Sequence, residues 1–140
     1  MANAIYNHLK SELQKASFNF TSDTIKVALV TSSYAANIDS HDNFDDITNE
    51  VSGTGYTAGG ATLTSPTVTQ DNTNDRGVFD AADVTWASST ITARGAVIYK
   101  STGTASTSKI LGYVDFGADK SSSGSDFTIQ WHTNGILYLS

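Results

Sequence analysis

Three histidines, His8, His41 and His132, are the only imidazoles in this chain, and no two of them lie three or four residues apart. A histidine metal cage needs such spacing on a shared face, so none is predicted, and each histidine reads as a solvated or lightly hydrogen-bonded side chain on a helix, loop or strand surface. Asp39, Asp42, Asp45 and Asp46 could offer hard oxygens to a calcium ion, but the stretch lacks the glycine and terminal glutamate of an EF-hand loop. It reads instead as a solvated acidic loop or a docking surface. Asp71, Asn72, Asn74 and Asp75 are of the types that cap turns. Serine is abundant, yet there is no G-x-S-x-G elbow, and no Ser-His-Asp set can be nominated from spacing. Gly53, Gly55 and Ala58 match a G-x-G-x-x-A spacing with no strand-to-helix crossover around it, which points to a bent, close-packed strand or loop and away from a dinucleotide site. Trp86 and Trp131 could stack on a sugar or a base, but each falls on the apolar side of its strand and is assigned to the core. No catalytic residue, cofactor or metal ligand is therefore nominated.

The elements that would carry these residues are mostly strands. Residues 1–17 form the one helical pattern: Ile5, Leu9 and Leu13 recur at a spacing of four, Ala2 and Ala16 extend the stripe, and Asn7, Lys10, Ser11 and Gln14 lie away from it. A helix of this length is marginal alone and must dock on the β body or on a neighbouring subunit. From residue 24 the period becomes two. Ile25, Val27 and Leu29 mark a central strand, and residues 32–48 form a long surface excursion with apolar anchors at Tyr34, Ile38, Phe44 and Ile47. Pro66 suits an edge or a strand start. Phe79, Val84 and Trp86 read as one strand. In the longest strand candidate Ile91, Ala93, Gly95, Val97 and Tyr99 share one face. STGTAST reads as a flexible hairpin loop, GADKSSSGS as a second polar loop, and Asn134-Gly135 as the turn of a closing hairpin between Phe127–Trp131 and Ile136–Leu139. Short strands without βα alternation predict a mainly β chain: one antiparallel β-sandwich or jelly-roll-like domain over residues 1–140, with the helix at 1–17 and the β body at 24–140.

Composition narrows the class of partner. Eight basic residues against fourteen acidic ones leave a net charge of -6, and the basic residues never form a run. That argues against a nucleic-acid partner. There is no cysteine, so neither disulfides nor thiolate chemistry contribute. No apolar run approaches the roughly 20 residues that span a bilayer, and the N-terminus lacks a signal-peptide layout, so synthesis in the cytoplasm with no membrane partner is expected. Serine and threonine supply 37 of 140 residues, a composition suited to half-solvated strand surfaces.

The segments NEVSGTGYTAGGATL, DNTNDR and VTW, followed by ITAR and AVIYK, together resemble a family of small virion structural proteins of tailed bacteriophages, of the head decoration or cement type. MANAIYNHLK is similar to that family's opening helix, and YVDFG with DFTIQW to its closing strands. Gly95 departs from the pattern, standing where a larger residue such as tyrosine often precedes AVIYK. The resemblance implies no catalysis. It implies a capsid decoration protein on the outer surface of the phage head, binding the major capsid protein and itself as a homo-oligomer, commonly a trimer, and stabilising the shell. A tail, neck or fibre-associated structural protein is the alternative, and a carbohydrate-binding module is a second. On the decoration reading the partner interface is expected at the helix and the 34–48 loop, with Ile5, Leu9, Tyr34 and Phe44 as its anchors.

Overall fold

A computed structural model describes residues 3–140 and shows a mainly β protein. In chain order the elements are β1 (Ala4–Ile5), α1 (Asn7–Gln14), β2 (Ile25–Val30), β3 (Ala61–Thr62), β4 (Thr67–Asp71), β5 (Arg76–Asp80), β6 (Val84–Ser89), β7 (Thr92–Lys100), β8 (Ile110–Ser121), β9 (Ser125–Ile129) and β10 (Leu137–Leu139). Five strands form one sheet in the order β1-β8-β7-β2-β3, three form another in the order β10-β5-β4, and β6 pairs with β9, all antiparallel. The smaller sheets pack sandwich-like on one face of the five-stranded sheet. Ile25, Val27, Leu29, Ile98 and Leu111 meet Phe79, Val84, Trp86, Phe127, Ile129 and Leu137 there in the main core.

The strands β6–β7 and β8–β9 are the two arms of one long bent ribbon. β7 pairs with β8, and beyond the bend Ser89 pairs with Ser125 and Trp86 with Phe127. A ribbon that changes sheets at a bend makes a corner of the sandwich. The segment GADKSSSGS is accordingly strand for most of its first half, because Thr92 and Ala93 pair with Ser121 and Lys120. The expected polar loop shrinks to the bend itself.

A register shift between Ala93 and Gly95 changes the expected faces of β7. Ile91 and Ala93 lie in the main core together with Ala96 and Ile98, while Val97 and Tyr99 belong to a second cluster on the opposite face. One irregular residue in a period-two pattern exchanges the faces beyond it. Gly95 sits at that irregularity because a Cβ there would lie 2.5 Å from the Tyr113 hydroxyl and 2.6 Å from the Val114 carbonyl oxygen.

Three other expectations change. Phe79 and Val84 lie on separate strands in separate sheets, since β5 ends at Asp80 and β6 begins at Val84. The Asn134-Gly135 turn exists, with the Gly135 N–H donating to the His132 carbonyl at 2.8 Å, but β9 and β10 do not pair across it. β9 joins β6 and β10 joins β5, because burying Trp131 and Ile136 in the sandwich carries the chain from one sheet to the other. The STGTAST loop is held by its own hydroxyls: Ser108 donates to the Thr104 carbonyl at 2.8 Å and accepts from the Thr102 N–H at 3.0 Å.

The helix is shorter than its hydrophobic stripe. Ala4 and Ile5 extend as β1 against Tyr113 and Gly112, so Ile5 takes its place from a strand; Ala2 lies outside the described residues. The helix ends with Ala16 at φ 56, where the Ala16 N–H donates to the Leu13 carbonyl and the Ser17 N–H to the Glu12 carbonyl, the paired bonds of a Schellman cap.

Replacing Gly95 with Ala forces the Cβ against a backbone carbonyl that cannot swing aside. Urea unfolding should show a loss of about 1 to 3 kcal/mol, the range of overpacking; an unchanged midpoint would refute the packing given for this position.

Candidate functional site

The four residues expected to anchor a partner are occupied by the fold. Leu9 is wholly buried in the main core, against which Ile5 packs as a half-buried neighbour. Tyr34, 7% exposed, lies in the second cluster with Tyr6, Val97, Tyr99 and Ile110, and half-buried Phe44 stacks on Tyr99 with ring centroids 4.1 Å apart. Periodicity marks the stripe of α1 and the 34–48 anchors as apolar faces without saying whether the chain's own β body or a partner covers them. Here they cover the five-stranded sheet, so Leu9 and Tyr34 present no surface to a partner of the folded chain.

The 32–48 excursion is fastened from several sides. The Phe44 N–H donates to the Ser108 carbonyl, the Ile110 N–H to the Asp42 carbonyl and the Asn7 N–H to the Ile38 carbonyl. Beneath it the Tyr6 and Tyr34 hydroxyls share a hydrogen bond of 2.6 Å, and the Tyr34 hydroxyl also meets His41 Nδ1 at 3.0 Å. Burial raises both tyrosines above their ordinary pKa, with the bond to Tyr34 raising Tyr6 further. The acidic residues act as caps and ties. Asp46 accepts from the Asp42 and Asn43 N–H groups, and these backbone bonds lower its pKa. Asp39 accepts from Asn7, and Asp42 approaches His8 at 3.4 Å. Among the described residues no group of three acidic or histidine side chains could hold a metal ion.

Glu12 and Lys109 join α1 to the start of β8. The carboxylate, almost fully buried, accepts from Lys109, from Lys15 at 2.8 Å and from the Ser17 hydroxyl at 2.8 Å. Led by the Lys109 bond, these donors lower the Glu12 pKa to about 2.

The run from Asn49 to Leu63 lies along the open edge of β2. β3 pairs with β2 only at Lys26 and Val27. Beyond it the Thr31 N–H donates to the Asn49 carbonyl, and the Val51 N–H to the Leu29 carbonyl. The Leu29 N–H donates to the Tyr56 hydroxyl at 2.9 Å, which in turn donates to Glu50 Oε1 at 2.7 Å. The same carboxylate oxygen accepts the Gly59 N–H, and the Tyr99 hydroxyl donates to the Gly59 carbonyl. Burial pushes the Tyr56 phenol up, with Glu50 adding to it, and takes Tyr99 up to about 12. Gly60 closes the turn at φ 70, where a Cβ would meet the Val27 carbonyl oxygen at 1.9 Å. The glycine cluster thus brings backbone against backbone, as its spacing suggested. Trp86 and Trp131, 6% and 9% exposed, are likewise core side chains.

With Tyr34, Phe44 and Ile47 committed to packing, backbone open to a partner lies at strand edges. Residues 3–6 cover the outer edge of β8 from Leu111 to Asp115, the Gly117 N–H is taken by the Asp115 carboxylate, and among the described residues β9 pairs with β6 alone, leaving its other edge open. Beside these edges runs a groove of about 450 Å³, lined by Val114 and Phe116 of β8, Phe127 and Ile129 of β9, and Trp131, with exposed Lys120, Asp126 and Gln130 among its polar residues. Open backbone beside apolar side chains is the arrangement that accepts an added strand. No sequence motif marks this groove, since it exists only where two parts of the bent ribbon converge. Among the described residues no helix is long and apolar enough to cross a membrane. Compared with known proteins, the chain matches no family model, no curated protein and no solved structure.

Tyr56→Phe leaves the Leu29 N–H without its acceptor and removes a donor from Glu50, which should lower stability by about 1 to 3 kcal/mol in chemical denaturation. Because the Glu12 pKa is depressed, the stability it contributes is complete above the unfolded value near 4.3 and is lost as pH falls toward about 2. Thermal midpoints measured from pH 6 to pH 2 should therefore fall less steeply in Glu12→Gln than in the native chain; parallel curves would contradict the assignment.

Proposed function

We propose that this protein is a structural component of a tailed-phage virion, a capsid decoration protein that binds the outer surface of the head and stabilises the shell. The observation that carries the reading is the resemblance of the segments 49–63, 71–76, 84–86, 91–94 and 96–100 to that class of protein. In the fold these segments perform a structural task. Residues 49–63 close the edge of β2, and 84–100 form one arm of the bent ribbon. The resemblance therefore concerns the body of the domain.

The groove beside β8 and β9 is the surface we assign to the shell contact. Its occupant is an extended segment of the major capsid protein, added as a strand on the open edge of β9 with its apolar side chains against Phe116 and Phe127. Each such contact is modest, and repetition over a shell lattice converts modest contacts into stable occupancy when copies are linked. The net charge of -6 favours solubility at high concentration and disfavours adhesion to packaged nucleic acid. Of the Trp or Tyr side chains that a carbohydrate-binding module would display on a sheet face, the two tryptophans are engaged in the core.

Quantitative densitometry of purified virions tests the proposal. Copy numbers comparable with the major capsid protein are expected. A few copies per particle would overturn decoration and assign the protein to neck, tail or fibre.

A further inference from the structure

The three-stranded sheet ends in β4, which is hydrogen-bonded to β5 on one side and to no strand on the other. Thr67, Val68, Thr69 and Gln70 are all exposed, Val68 by 53%. An edge strand directs the N–H and C=O groups of alternate residues away from its ladder, and these form a template for another strand. Soluble proteins guard such edges with lysine, proline, a bulge, a charge or extreme shortness. β4 has none of these. Its five residues include no lysine and no proline, its register with β5 is unbroken, and its one charge, Asp71, is held by Arg76 at 2.9 Å. The other open edges are short, irregular or charged. β1 and β3 are two residues long and β10 three, β6 carries a register shift between Trp86 and Ser89, and the stretch of β8 and β9 beside the groove bears Asp115, Asp119, Lys120 and Asp126.

We propose that β4 is a self-association edge: β4 of a second copy adds antiparallel about a two-fold axis at Thr69, joining two three-stranded sheets into one. The charge pattern selects a second copy as the occupant. About that axis Thr69 faces its own counterpart, Val68 faces Gln70, and Thr67 faces Asp71, so no like charges are opposed. In a chain of net charge -6 such a seam lets two copies approach without setting carboxylate against carboxylate. The two Val68 side chains become diagonal neighbours across the seam. Val68 pairs with Phe79 and Phe79 with Leu137, so Val68 shares a sheet face with Leu139, which is 42% exposed. Joining the sheets therefore extends one apolar face across both copies. The inference is independent of the particle to which the protein attaches.

Sedimentation velocity over a roughly hundred-fold concentration range, with hydrogen exchange of the 67–71 amides, tests it. The native chain should pass from monomer to dimer as concentration rises, with the 67–71 amides gaining protection in step. Val68→Lys sets two cations across the seam and should remain monomeric with an unchanged thermal midpoint. Should that midpoint fall, Gln70→Lys makes the same test from the neighbouring position. A native chain monomeric at every concentration overturns the proposal. So does an oligomer, trimer included, that persists in the lysine variants and leaves the 67–71 amides unprotected.

Discussion

The central strands β2 and β7 are buried on both faces over most of their length, and the rest of the molecule is arranged around that constraint. Ile25, Val27, Leu29, Ala96 and Ile98 point into the main core, and Ala28, Val30, Val97 and Tyr99 point the other way into the second cluster. A sheet buried on both sides needs a layer on each. The smaller sheets supply one. The other comes from the 32–48 excursion, which has little regular structure beyond a 3₁₀ turn at Phe44–Asp46 and depends on side chains to hold its shape.

That dependence explains where the polar groups lie. A cover without its own backbone ladder leaves amides and carbonyls to be satisfied individually, and buried ones left unpaired are expensive. Asp46 caps its own turn, Tyr6, Tyr34 and His41 form a hydroxyl and imidazole chain beneath the excursion, and Glu12 gathers Lys15, Ser17 and Lys109 at the helix end. At the edge of β2 the Glu50–Tyr56 pair meets the same need. These groups resemble a site by proximity, yet each has a structural hydrogen bond to account for it.

Open backbone is correspondingly found at the strand edges. Tyr34, Phe44 and Ile47 of the long excursion are occupied in covering the sheet, and among the described residues the large apolar side chains left exposed are Ile38, Val68 and Leu139. Main-chain hydrogen bonding at an edge needs little side-chain specialisation, which suits a chain whose surface is mostly serine, threonine and small polar residues. Two kinds of edge stand open. One lies beside an aromatic groove and bears charge, and the other is flat and almost uncharged.

Much was legible before any coordinates. The mainly β class, the alternation of β2, the burial of both tryptophans and the close-packed glycines at 53–60 follow from side-chain period and from the steric freedom of glycine, which are local properties. The apolar character of Ile5, Leu9, Tyr34 and Phe44 was equally plain. Their destination was not, because an apolar stripe fits the chain's own sheet as well as another subunit, and only the fold brings Leu9 beside Leu111, and Phe44 over Tyr99. The shift at Gly95, the division of Phe79 and Val84 between sheets, and the separation of β9 from β10 depend on contacts between residues distant in sequence. Tertiary structure alone decided these, since strand pairing is set by which partner buries a face and not by the period that makes the face apolar.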